Sequence, residues 1–303
     1  MDLYQALSPL VTPYWEDDCL PIADSKRLYA PPLGLGRLER GVHSALRLLG
    51  HQPRKWNDLV ELLGADPENK RRDLPWHDDY ECNLPDSATE NELTHFSERL
   101  EATCDDAQVA PIAVRARMVF PAEFNDLTQH FNTKGAALSH VTLALVRQLV
   151  DDLTSKGSAR PPPRTTPESR ILNPESSFTI VCDKHGARNR YLGLLQHYFA
   201  DEFIRVAIEG KRASRYHWPW DGMPVEAIFR MQGESFLPTA LASMVAKYLR
   251  ELAQRAVNQF WCARVPDLRP TAGYPNGSRK FKRAIAAKQR ELKINDHTLW
   301  RAR

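Results

Sequence analysis

The chain has 303 residues, 26% of them charged, and a formal net charge of +3. That length can bury a sizeable core, as one large domain with an insertion or as two domains. No apolar run approaches a membrane span, and the opening MDLYQALSPL has neither the basic nor the apolar region of a secretory signal, so the expectation is a cytoplasmic protein with no membrane partner.

The five cysteines, Cys19, Cys82, Cys104, Cys182 and Cys262, are odd in number and lack zinc-ligand spacing, which predicts reduced thiols. Charge is uneven. Residues 264–303 carry eleven Lys/Arg against three Asp/Glu, an excess of eight, so the rest of the chain has a net charge of about -5. Such a segment suits a polyanionic partner or a solvated helix face.

In chain order, LPIADSKRLY is a short apolar run ending at Asp24-Ser25-Lys26. GRLERGVHSALRLLG follows, with Leu38, Val42, Ala45 and Leu48 on one stripe of a helix stopped by Gly50. From 51 to 108 the pattern loosens into two short helices, WNDLVELLG and ENELTHFSERLEA, around a polar, proline-punctuated stretch. This region reads as an insertion outside the central sheet. APIAVRARMVF (110–120) alternates apolar and basic residues as an exposed-face strand does.

Pro121 begins PAEFNDLTQHF, and TKGAALSHVTLALVRQLVDDL predicts a helix with Leu138, Val141, Leu145 and Leu149 on its core stripe. TSKGSARPPPRTTPESR (154–170) reads as a linker. Then come a strand over 177–182, a helix over about 190–199, and two strands, FIRVAIEG (203–210) and PVEAIFRMQG (224–233). The long helix LPTALASMVAKYLRELAQRAVNQFW carries Leu241, Val245, Tyr248, Leu252 and Val257 near one face; a Pro/Gly loop and a basic helix finish the chain. Strands alternating with helices imply α/β layering.

TIVCDKHGARNRY puts Asp183 at the end of an apolar strand, with Lys184, His185, Arg188 and Arg190 behind it. Strand C-terminal ends are where α/β sheets hold ligands and metals. A buried carboxylate there needs a cation, so Asp183 reads either as a salt-bridged structural residue or as a magnesium ligand with phosphate-binding neighbours. Pairing with His185 for acid–base work is a third reading.

Glu234 repeats the arrangement in IFRMQGESF, although a glutamate in a helix's first turn is also ordinary dipole chemistry. Two strand-end carboxylates suit hydrolysis assisted by two metal ions. Ser25 and Lys26 suit a phosphate, or simply a helix start with a surface lysine. Tyr274 in TAGYPNG, with Arg279, Lys280 and Lys282 behind it, suits nucleotide stacking or a packed turn. The usual NTPase, dinucleotide, serine-hydrolase and zincin motifs are missing from the sequence.

Taken together, ADSKRL, PAEFNDLTQHFNTKGAALSHVTLALV, TIVCDKHGARNRY, GESFLPTALASMVAKYLRE and TAGYP resemble the ribonuclease HII/HIII family, the type-2 branch of the ribonuclease H-like fold. The likeness spans most of the chain outside 51–108. It implies an α/β fold with a ribonuclease H-like mixed sheet flanked by helices. The expected parts are 1–50, an insertion at 51–108, a core at 109–263 and a basic segment at 264–303. Asp183 and Glu234 would be two of the family's four ligands for Mg2+ or Mn2+. Ser25, Lys26 and Lys247, with Lys184 and Arg188, would meet the nucleic-acid backbone, and Tyr274 would stack on a nucleotide.

The implied chemistry is attack of water on an RNA phosphodiester in an RNA–DNA hybrid or ribonucleotide-containing duplex, leaving a 3′-hydroxyl and a 5′-phosphate. The family's opening D-E-A-G-x-G strand has no counterpart in the sequence. The expectation is therefore a sheet without its first strand and a site with half its carboxylates. Either the start lies upstream, or the chain is a non-catalytic nucleic-acid-binding paralogue.

Overall fold

The computed structural model describes residues 1–155 and 177–302. It divides into two compact units: Met1–Leu127 with Phe236–Arg303, and Thr128–Ser235. These divisions fall elsewhere than the boundaries expected at 50, 108 and 263. The fold is mixed α/β, with an open mixed sheet in the second unit.

In the first unit the chain runs through α1 (Leu3–Ala6), β1 (Val11–Thr12), β2 (Leu20–Pro21), α2 (Ser25–Leu28), α3 (Gly36–Leu48), α4 (Trp56–Leu62) and α5 (Glu90–Asp106). It leaves through α6 (Pro121–His130). The stripe expected on α3 does face the core: Leu38, Val42 and Ala45 are buried.

Residues 51–108 contribute Trp56, Leu59, Tyr80, Phe96 and Leu100 to the same apolar cluster as Leu38 and Val42. They are packed into the unit, not set apart from it. One charged group sits inside this packing. Glu39, with no exposed surface, accepts backbone N–H groups from Asp86 (2.7 Å), Ser87 (2.7 Å) and Ala88 (2.8 Å), and the Tyr248 hydroxyl at 2.9 Å. Four donors replace the water it has lost, so the charge is tolerated and the 86–88 turn is fixed.

The strand expected at 110–120 does not form. That stretch is extended, but its backbone N–H groups bond a neighbouring segment at just two places, Ala116 N–H to Leu63 O (3.1 Å) and Met118 N–H to Ala65 O (2.7 Å), so no ladder is assigned. Its alternation reflects one side lying on the core.

The second unit holds α7 (Lys134–Ser155), β3 (Phe178–Asp183), α8 (Leu192–Tyr198), β4 (Arg205–Glu209), β5 (Ala213–Trp220) and β6 (Met223–Arg230). Of the segment read as a linker, residues 156–170 lie outside the described residues. The sheet order is β3-β6-β5-β4, with β3 parallel to β6 and the other pairs antiparallel. Phe178, Ile180 and Cys182 face the core with Tyr191, Leu195, Phe199 and Phe229, while Asp183 ends the strand exposed.

On α7 the buried apolar positions are Ala137, Leu143 and Val150, with Ser139 buried beside them; Leu138, expected in the core stripe, is 48% exposed. That helix is apolar around most of its circumference, so the sequence admits more than one stripe. β5 was not expected at all. Asp221 (φ 50) and Gly222 (φ 79) form the two-residue turn that folds it onto β6, and Pro219 within it obscured the strand.

The chain returns to the first unit as α9 (Leu237–Cys262), α10 (Pro275–Glu291) and α11 (Asp296–Leu299). Gly41 on α3 meets α9 so closely that a Cβ would lie 2.5 Å from the Met244 methyl and 3.1 Å from Pro21 O. Trp261 on α9 and Phe281 and Ile285 on α10 share a second apolar cluster, which seats α10. The five cysteines are unpaired, and among the described residues no helix is long and apolar enough to cross a membrane.

Burial drives His43, His77 and His185 down to about 4. Unfolded imidazoles protonate near 6.5, so between pH 6.5 and 4 the unfolded chain binds more protons than the folded one. Stability is therefore lost as pH falls through that window, by on the order of 3 kcal/mol per histidine. The melting midpoint, followed by circular dichroism, should drop steadily from pH 6.5 to 4. A midpoint unchanged across that range would show the imidazoles not to be buried.

Candidate functional site

In the first unit, three segments far apart in sequence meet around a pocket of about 210 Å³, whose walls include Lys26, Tyr29, Lys247, Glu251 and Tyr274. α2 supplies Lys26. Asp24 caps this helix, its Oδ1 accepting the Lys26 N–H at 3.0 Å. Ser25 is buried, and the Ser243 hydroxyl donates to its oxygen at 3.1 Å, fastening α2 to α9. Of the two residues expected at phosphate, Lys26 reaches the pocket and Ser25 does not.

α9 supplies Lys247 and, one turn later, Glu251. The Glu251 carboxylate is nearly buried and accepts the Lys247 ammonium at 2.7 Å, the Tyr29 hydroxyl at 2.8 Å and the Arg250 guanidinium. Burial pushes its pKa up, but those donors outweigh it and hold the carboxyl below its usual range. Burial and the bond to Glu251 raise the Tyr29 hydroxyl to about 12. Lys247 Nζ lies 4.4 Å from the centre of the Tyr29 ring and 5.6 Å from that of Tyr274, an ammonium held against two aromatic faces.

The turn bearing Tyr274 is pinned to α9. Asn258 and Thr271 exchange two 3.0 Å hydrogen bonds, and Arg250 donates to Ala272 O. Gly273 has φ +71°, and a Cβ there would fall 2.4 Å from Gln254 Oε1 and 2.8 Å from Arg250 Nη2. Those two side-chain ends can swing aside, and it is the left-handed φ that favours glycine at this turn. Tyr274 is left 55% exposed, its hydroxyl accepting Lys247 Nζ at 3.0 Å. Lys26, Lys247 and Arg250 against one carboxylate leave the pocket region positive.

The second unit holds the strand-end carboxylates. Asp183 is exposed, and its Oδ1 accepts the Gly233 N–H at 3.1 Å. Glu234, half-buried, is the next residue in the short 3-10 turn Gly233–Ser235 after β6. Because β3 and β6 are parallel, paired Asp183 to Arg230, both carboxylates come from the same end of adjacent strands. A Cβ at Gly233 would meet Asp183 Cα and N at 3.0 Å, so any side chain there would have to push the Asp183 backbone back by a few tenths of an ångström.

The basic residues after Asp183 have other tasks. Lys184 Nζ faces Arg188 O (3.2 Å), Asn189 Oδ1 (3.0 Å), Gly210 O (2.7 Å) and Ser214 Oγ (3.2 Å). Burial lowers its pKa. Lys184, expected at phosphate, ties the 184–190 loop to the β4–β5 hairpin in this structure. Arg188 is half-buried on that loop. Arg190 is 90% exposed at its side chain and faces Glu209 at 3.8 Å. His185 is buried with Nδ1 2.9 Å from Ser139 Oγ, which places it in the packing, not as a proton partner for Asp183.

No family model, curated protein or solved structure matches this chain.

Sequence reasoning missed Tyr29 and Glu251. Their signals were present: Tyr29 directly follows ADSKRL, and Glu251 stands four residues after Lys247 on the same helix face.

The close approach at Gly233 gives a direct test. Gly233→Ala should destabilise the second unit by about 1–3 kcal/mol, because the clash is with backbone. Denaturant unfolding monitored by tryptophan fluorescence checks this; an unchanged or raised midpoint would mean that the Asp183 backbone yields to the added methyl.

Proposed function

We propose that the protein is a divergent ribonuclease HII-like endonuclease that hydrolyses RNA in RNA–DNA hybrids or ribonucleotide-containing duplexes, using Mg2+ or Mn2+. The observation that carries the reading is the meeting of Lys26, Lys247 and Tyr274, from three separated motifs, around one positive pocket. Its volume of about 210 Å³ is below that of typical small-molecule sites. It therefore suits a sugar or phosphate projecting from a polymer, with the Tyr274 ring available for stacking.

Asp183 and Glu234 are the hydrolytic half of the proposal. Both offer hard oxygen donors at one sheet end, and Gly233 N–H occupies only one oxygen of Asp183. Among the described residues no group of three or more His, Cys, Asp or Glu comes together as a metal cluster. Two carboxylates fit Mg2+ in its usual manner, with water and substrate phosphate completing the shell. When bound, the ion would neutralise phosphate charge and lower the pKa of the attacking water. Gly233 N–H orients the Asp183 carboxylate, and Lys26 and Lys247 hold the backbone. A ribonuclease H-like topology and a cytoplasmic setting belong to the same proposal; unpaired thiols suit the latter.

A second reading, a non-catalytic nucleic-acid-binding paralogue of that fold, is favoured by the small number of carboxylates. Cleavage of a labelled hybrid with Mg2+ or Mn2+, alongside binding measured by anisotropy, separates the two. Asp183→Asn should lower cleavage at least 100-fold with binding kept, and Lys247→Ala should weaken binding. Tight binding without cleavage by the native chain selects the second reading. No binding of any hybrid rejects both.

A further inference from the structure

α10 begins at the pocket, since Tyr274 is its N-cap residue. Its buried face is Phe281, Ile285 and Gln289. At 100° per residue, Arg279, Arg283 and Arg290 fall within about 40° of one another on the opposite face, with Lys280 beside them. All four are exposed, and the intervening positions are Ala286 and Ala287. The other cations of this helix are already paired, Lys282 with Asp296 (2.5 Å) and Lys288 with Glu291 (2.6 Å). Among the described residues, the side chains of Arg279, Lys280, Arg283 and Arg290 have no such partner.

By itself this arrangement is electrostatically unfavourable in three ways. Arg279 and Lys280 stand near the positive end of the helix dipole, whose first turn has no acidic residue. Arg279 and Arg283 are like charges four residues apart. Along the stripe no carboxylate intervenes. A helix seated by Phe281 and Ile285 tolerates this, and a polyanion laid along the stripe removes the repulsion.

We propose that the Arg279–Arg283–Arg290 face of α10 is a docking surface for the phosphate backbone of duplex nucleic acid flanking the pocket, so that the protein grips its substrate well beyond the nucleotide at Tyr274. This rests on the function proposed above and deepens it. From Arg279 to Arg290 the helix rises about 17 Å, which matches about five nucleotide steps along one strand. The contacts carry no base information, so they add affinity without sequence preference.

The test compares the native chain with the triple variant Arg279→Ala, Arg283→Ala, Arg290→Ala on hybrids of about 8 and about 24 base pairs, over a range of KCl concentrations. Alanine favours helix, so the fold is kept, and a triple Arg→Lys variant serves as the charge-retaining rescue. The native chain should bind the long hybrid more tightly. The alanine variant should lose about tenfold or more on it at 0.1 M salt, with the slope of log K against log[KCl] shallower by about 2.7, and the lysine variant should recover the slope. Affinity for the short hybrid should change little.

Equal slopes for the native and alanine proteins, or no gain with length, overturn this inference and leave the proposed function standing. Failure of the native chain to bind either hybrid overturns both. Preferential binding of anionic phospholipid vesicles through the same arginines assigns the face to a membrane and also overturns it.

Discussion

A carboxylate taken out of water must be given donors in return, and that requirement organises the first unit twice. Glu39, wholly buried on α3, is surrounded by three backbone N–H groups of the 86–88 turn and by the Tyr248 hydroxyl of α9. Glu251, nearly buried on α9, gathers Lys247, Arg250 and the Tyr29 hydroxyl. The first fixes a turn beside the α3–α9 crossing; the second fixes the pocket wall. Because Lys247 is held by Glu251, its ammonium stays between two tyrosine rings instead of drifting into solvent. Asp183 and Glu234 contrast with them. They stand at a strand end, exposed or half-buried, with few donors from the chain itself. Their remaining oxygens are open to solvent, and the proposed function assigns these two carboxylates to a metal ion.

The parts of the structure that were legible in the sequence are those governed by one strong periodicity. α9 keeps Val245, Tyr248 and Leu252 buried as the spacing predicts, and Asp183 ends its strand. The errors share a cause: a local pattern does not say which neighbour it meets. At 110–120 alternation came from lying on a core without a strand partner, and on α7 an apolar circumference hid which side was inward. β5 was concealed by Pro219, although the Asp221-Gly222 turn was a readable signal.

Lys26, Lys247 and Tyr274 could be singled out one by one in the sequence, and their grouping around one pocket could not. Lys184 illustrates the limit. A lysine after a strand-end aspartate looks like a phosphate contact, yet its ammonium faces four acceptors inside the unit. Whether a cation is free depends on residues 25 to 30 positions away, here Gly210 and Ser214, which local sequence does not report.

The proposed function draws on each unit separately: cations and exposed aromatic surface on the first, oxygen donors at a sheet end on the second. The claim underneath it is that a nucleotide sits against Tyr274. Photocross-linking a hybrid containing 5-bromouridine, followed by peptide mass spectrometry, tests that contact directly. The account predicts a cross-linked peptide that includes residues 271–274. Efficient cross-links that map elsewhere and leave this turn unlabelled would contradict it.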